Sequence, residues 1–241
     1  MGKPDIIYED NDIIVCYKPA GIATQTRRIG QQDMESFIRN YRAAKNEPPY
    51  VGIVHRLDQP VEGVMVFAKN QKAAASLSRQ IKEHTTEKYY RAASRGHGVS
   101  GAAVEDEEAW HTLTDYISFD KRTNTSKITS EKDRLAKKAV LQYRVISVTP
   151  DRDSSQNECI RTEFDIKLLT GRHHQIRLQL ANIGYPLIGD TKYGKTASNN
   201  SGTGSKSGRT GFGVREQLAL CSYKIVFDHP ATGEMLTFEL P

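Results

Sequence analysis

YVGIVHRLDQPVEGVMVFAKN, residues Tyr50 to Asn70, sets His55, Arg56, Asp58 and Glu62 between two apolar runs, Tyr50–Val54 and Val64–Ala68. The flanks are rich in β-branched residues and short enough for buried strands. The segment between them holds Pro60 and Gly63, so it reads as a turn or loop. A carboxylate on a loop gripped by two strands is held still while its head stays accessible, a common placement for a reacting group. A surface turn capped by Asp58 fits the same residues.

Working outward, residues 6–18 (IIYEDNDIIVCYK) read as a hairpin around Asp10-Asn11-Asp12, followed by a PAGIATQ loop. Met34–Lys45 read as a helix with Phe37, Ile38, Tyr41 and Ala44 on one face, ended by NEPPY. Gln71–Glu83 form a second, with Ala73, Leu77 and Ile81 four apart. Strands are expected over 88–95, Trp110–Phe119, Ala139–Val148 and 158–170, the middle pair joined by a long polar connection. GRHHQIRLQLANIG reads as a short helix closed by Gly184 with Pro186 beyond. Residues 194–213 have almost no apolar content and read as a flexible loop inside a domain. LALCSYKIVFDHP and MLTFELP return to strand pattern. Strands outnumber helices and do not alternate regularly with them. The expected fold is therefore α+β, a largely antiparallel mixed sheet with flanking helices, in one domain over 1–241.

The 241 residues carry 37% hydrophobic and 26% charged side chains, a globular profile. No apolar signal core opens the chain and no apolar run matches a membrane span, so a cytoplasmic protein without membrane contact is expected. Cys16, Cys159 and Cys221 suggest neither a disulfide framework nor a zinc site. The net charge is +5, and the stretch Lys69–Arg95 alone has seven Lys or Arg against Glu83 and Glu87. Such a stripe suits a polyanion, or is a solvated helix face.

Two further clusters carry candidate chemistry. In EKYYRA, Tyr89 and Tyr90 point to opposite faces of a strand; one packs inside and the other can offer its ring to a base. In TGRHHQIRLQL, Arg172, His173, His174 and Arg177 gather at a helix start, a position favouring anions; His173 and Arg177, four apart, would share a face. Adjacent histidines lack helical metal-ligand spacing. A retaining glycosidase would need a second carboxylate, and only Glu62, beyond Pro60, lies near.

These residues also carry a resemblance. VHRLDQPVEGVMVFAKN resembles the H-R-L-D motif of RluA-type pseudouridine synthases, with Val61-Glu62-Gly63 where that family usually has Thr-Ser-Gly. The hairpin with KPAG, EKYYRA, TGRHHQIRLQLANIGYPLIGDTKYG and LALCSYKIVFDHPATGE are similar to its other motifs, in the same order, from about residue 5 to the C-terminus. The resemblance implies a pseudouridine synthase fold with a central RNA-binding cleft; that family often carries an N-terminal S4-like module, and because this sequence opens almost directly on the catalytic hairpin none is expected here. It implies isomerisation of uridine in ribosomal or transfer RNA, by breaking the N-glycosidic bond, turning the base and rejoining it through C5. It makes Asp58 the catalytic acid residue, Tyr90 the ring under the base that assists proton removal, and Arg177 the partner of Asp58. It makes Arg56 the side chain filling the space of the flipped nucleotide and Ile176 part of the base pocket. His55 and Arg172 are further substrate-binding candidates. The chemistry has no redox change and no hydrolysis, so no cofactor and no metal is expected. RNA is the expected partner and a monomer the expected state. An RNA-binding or ribosome-assembly protein on the same fold, without turnover, is the alternative.

Overall fold

The computed structural model describes residues 4–26, 30–95, 109–152, 158–194 and 216–241. The described chain divides into two compact units. The first comprises Met1–Arg91, Lys167–Leu169 and Leu220–Pro241; the second comprises Ala92–Ile166 and Thr170–Ala219. Among the described residues no helix is long and apolar enough to cross a membrane.

In the first unit, β1 (Asp5–Glu9) and β2 (Ile13–Lys18) form the expected hairpin, turned by Asp10, whose Oδ1 accepts the N–H of Asp12 and Ile13. Strand β4 (Glu62–Ala68) runs antiparallel to β2 and to the two-residue β3 (Gly52–Ile53), and parallel to β10 (Leu220–Asp228). The order β1-β2-β4-β10-β5 is completed by β5 (Glu87–Arg95) and by β11 (Met235–Glu239), antiparallel to β10. The period-two pattern of β4 sends Val64, Val66 and Ala68 to one face, where Ala73 and Leu77 of α2 (Gln71–Lys82) cover them with Ile225 and Phe227. Each buried Val or Leu contributes about 1.5–3 kcal/mol relative to exposure. Asn70 caps α2 by accepting from Ala73 N–H, and Asp33 with Ser36 forms a capping box on α1 (Met34–Ala44).

The expected strand Tyr50–Val54 shrinks to two residues. Gly52 lies so close to α2 that an added Cβ would sit 2.9 Å from the Ala74 Cβ. Beyond Ile53 the main chain leaves β4, and the Nε2 of His55 accepts the Val66 N–H at 3.1 Å instead.

In the second unit, β6 (His111–Asp120) pairs antiparallel with β8 (Lys137–Arg152), as the sequence suggests, in the order β9-β8-β6-β7 with β9 spanning Glu158–Leu168. The polar connection between β6 and β8 contains a strand of its own, β7 (Thr125–Thr129), antiparallel to β6. Its composition, TSKIT, hides it, because only Ile128 is apolar. Helix α3 (Gln175–Asn182) starts later than its pattern suggests. His174 has φ 54° in the left-handed region, which no helix continues. His173 therefore lies outside the helix, and the shared face with Arg177 is not formed. Gly184, φ 89°, closes the helix as expected. The expected loop 194–213 lies, beyond Gly194, outside the described residues, as does 97–108.

Candidate active site

The first unit holds His55, Arg56, Asp58 and Tyr90. The loop 55–61 is fastened from the KPAG side. The Thr24 hydroxyl donates to the Leu57 carbonyl at 2.9 Å and accepts the Leu57 N–H at 3.1 Å, and buried Leu57 anchors the loop between exposed Arg56 and half-buried Asp58. Gln59 exchanges two bonds with Gly21: its carbonyl accepts the Gly21 N–H and its Nε2 donates back. Lys18 is fully buried, and its ammonium donates to the carbonyls of Pro19, Ile22 and Gln59 at 3.1, 2.6 and 3.1 Å. Burial pulls that ammonium down to about 8, against the charges of Asp58 and Glu62.

Tyr90 is 5% exposed, so the inward member of the Tyr pair is the one beside Asp58. Burial raises its hydroxyl well above the ordinary range; a hydrogen bond with the Ser222 side chain opposes that, and the Asp58 charge adds to it. The phenol is thus neutral and fixed in place. Tyr89 faces the other way, donating to Glu87 and lying under Lys167 and Lys224. Ser222 is held where β10 meets β4 at Gly63, φ 136°, whose added Cβ would stand 2.3 Å from the Ser222 carbonyl oxygen. Glu62, the departure from the family motif, accepts the Tyr17 hydroxyl at 2.8 Å and pushes Tyr17, after burial, up to about 12. Burial and the Lys88 charge hold His55 near 3, so its neutral ring serves as the acceptor for Val66.

The second unit holds Arg172, Ile176 and Arg177. Ile176 is buried on α3, and Arg172 donates through Nε to the Lys138 carbonyl at 2.8 Å. Arg177 is 4% exposed and forms a fork with Asp190: Nε to Oδ2 at 2.8 Å and Nη2 to Oδ1 at 2.7 Å. Asp190 also accepts the N–H of Lys192 and Tyr193. Burial pushes the Asp190 carboxyl up, but the bonds and charge of Arg177 more than offset it and hold it below the usual carboxylate range. The Arg177 guanidinium lies 5.4 Å from the centre of the Tyr193 ring, whose hydroxyl takes the Ser126 N–H and lies 2.9 Å from His174 Nδ1. The sequence patterns assign no role to Asp190, Lys18 or Thr24. A lysine directly after an apolar strand and an acid directly after a positive-φ glycine are the signals that mark them.

Two stretches imitate nucleotide loops. Residues 189–196, GDTKYGKT, spell G-x-x-x-x-G-K-[ST], and 96–101, GHGVSG, spell G-x-G-x-x-G after β5. The first follows α3 rather than a strand, and the Asp190 carboxylate already takes the N–H groups a phosphate would need. The second lies outside the described residues, and the next described element is the strand β6.

A family model described as RNA pseudouridylate synthase matches residues 12–182, and the chain belongs to that family, whose members isomerise uridine in RNA. It is 31% identical over 242 residues to the uncharacterized RNA pseudouridine synthase YhcT of Bacillus subtilis, covering 100% of this chain and 69% of the relative. It is 32% identical over 240 residues to the ribosomal large subunit pseudouridine synthase D of Vibrio parahaemolyticus, covering 98% and 66%. The chain thus spans about two thirds of the length of these relatives. In fold it matches human RNA pseudouridylate synthase domain containing 1, with TM-score 0.68, 24% identity, and coverage of 99% of this chain and 83% of that one. The α+β fold with a largely antiparallel mixed sheet is therefore the pseudouridine synthase fold.

Proposed function

We propose that this chain, with 1–241 as its catalytic domain, converts particular uridines of ribosomal RNA to pseudouridine in the cytoplasm, acting as a monomer. The observation that carries the reading is the Asp58 loop. Three independent fastenings, from Thr24, Lys18 and Gly21, fix a half-buried carboxylate beside a buried tyrosine. Catalysis at a flipped base depends on such fixed placement, because the protein must hold the extruded uracil while its bond is exchanged. Asp58 attacks the ribose or takes its 2′ proton. Tyr90, a neutral phenol, lies under the base and can take the C5 proton only as it passes its own onward. Arg177, aimed by Asp190, supplies a fixed positive charge to the reacting groups, while Arg56 and Ile176 shape the space for the nucleotide. His55 and Arg172 support these contacts from bonds already made within the fold. The ribosomal target follows the name of the Vibrio relative.

The test is release of tritium from C5 of labelled uridine in ribosomal RNA taken from cells lacking the protein. Release by the parent chain and none by Asp58→Asn supports the enzyme. Silence from both, with RNA binding retained, would establish a binding protein on this fold. Release from transfer RNA alone would move the substrate class.

A further inference from the structure

The β6–β7 hairpin of the second unit carries a ring and charges that the site above does not use. Phe119, at the end of β6, is 38% exposed, although a large apolar ring would ordinarily be buried. It is not isolated. Its centre lies 4.2 Å from that of His173, which stacks on His174 at 3.7 Å, and His174 meets the Tyr193 edge at 5.6 Å. The four rings form a ladder that ends beneath Arg177.

The ladder is rigid. The Ser126 hydroxyl donates to the His173 carbonyl, so its oxygen accepts from the His173 Nδ1–H, both at 2.9 Å. Tyr193 and the left-handed backbone of His174 fix the next rung. The β6–β7 turn beyond Phe119 carries exposed Lys121 and Arg122, and Arg172 and Lys192 are fastened to the carbonyls of Lys138 and Asn124; Lys127, opposite Ser118, faces the other side of the sheet with Asp120. The carboxylates nearby are Asp120, Glu131 and Asp133. Asp120 is occupied by the Arg122 N–H, Asp133 by Thr129, and Glu131 by Tyr116. Four cations, Lys121, Arg122, Arg172 and Lys192, border the exposed aromatic face against three carboxylates, which leaves a small positive excess.

Resting on the RNA-modifying reading, we propose that this hairpin is a second RNA-contacting surface. Phe119 and His173 stack on unpaired bases of the RNA, and Lys121 and Arg122 hold the adjoining phosphates. Stacking platforms with cationic rims select single strands, because paired bases do not offer their faces. The five motifs of the sequence leave Phe119 out, so this surface bears on which RNA is chosen, not on the reaction.

The experiment measures binding of a fluorescein-labelled oligouridylate, and of a blunt RNA duplex of equal length, to the full chain in an Asp58→Asn background. Phe119→Ala is expected to weaken single-strand binding about tenfold, and Phe119→Trp to preserve it. The double change Lys121→Ala, Arg122→Ala is expected to reduce the salt slope of log affinity by about 1.4. With Asp58 restored, Phe119→Ala should leave the single-turnover rate at saturating RNA unchanged. Affinity within twofold for Phe119→Ala, or an equal loss on the duplex, would overturn the surface. A parent that binds no RNA at all would instead overturn the RNA reading beneath it.

Discussion

Replacing Asp190 by asparagine isolates the charge that aims Arg177. The Asp190 Oδ1 takes Nη2–H at 2.7 Å and the N–H of Lys192 and Tyr193 at 2.8 and 3.1 Å; Oδ2 takes Nε–H at 2.8 Å. Asparagine can keep the first three with its carbonyl. Its amide then turns a donor against the Nε–H, and the buried guanidinium loses its counter-charge. Breaking one side of a buried ion pair costs about 3–5 kcal/mol, and the retained bonds place this change near 3. Urea unfolding of the full chain should show that loss in the midpoint with an unaltered slope. Turnover should fall about a hundredfold as the guanidinium shifts, with RNA affinity nearly kept. The double change Arg177→Met, Asp190→Asn leaves no lone charge and keeps a carbonyl for the N–H of Lys192 and Tyr193, so its stability should return to within about 1 kcal/mol of the parent while turnover stays absent. A double variant as unstable as the two single losses added together would refute the reasoning, because the two side chains would then be uncoupled.

Two other perturbations bear on the first unit. Lys18→Met removes three carbonyl contacts, yet holding the ammonium at about 8 instead of 10.5 costs about 3 kcal/mol that the change relieves. Its unfolding midpoint should therefore move little while turnover drops at least tenfold, since the Asp58 loop loses its anchor; a large midpoint shift with full turnover would contradict that balance. Burial pushes Glu9 up, but bonds from Lys45, Lys69 and Tyr41 outweigh it and hold the carboxyl at about 2. A folded value below the unfolded one gives stability that is complete above pH 4.5 and lost as pH falls towards 2. Acid unfolding curves of Glu9→Gln should be shallower than the parent's in that window, and parallel curves would exclude the assignment.

The alternation Val64, Val66, Ala68 and the spacing of Ala73 and Leu77 made β4 and α2 legible, since each face is set by its own residues. The starts and stops set by distant partners were not. Strand β3 begins only at Gly52, where α2 crowds the chain, β7 is specified by pairing to β6 rather than by its own apolar pattern, and α3 is delayed by the backbone of His174. Among the candidate site residues, Asp58 and Tyr90 are marked by the family motifs, while strand parity says only that Tyr89 and Tyr90 face opposite sides. The fastenings of Lys18 to Gln59 and of Arg177 to Asp190 bridge 41 and 13 residues, distances over which no local period carries information.

Charge is the clearest case of a pattern that misleads when read along the chain. Of the seven cations in Lys69–Arg95, Lys69 is buried against Glu9 and Glu47, Arg95 is paired with Asp151 and Glu216, and burial lowers Lys88. Those three hold the fold and offer little to a phosphate. The cations around Phe119 are sparser in sequence, drawn from the β6–β7 turn and from the segments before and after α3, yet the fold collects them on one rim. A polyanion meets the folded surface, so its contacts are set by where side chains emerge, and a dense stripe can matter less than four residues the topology gathers.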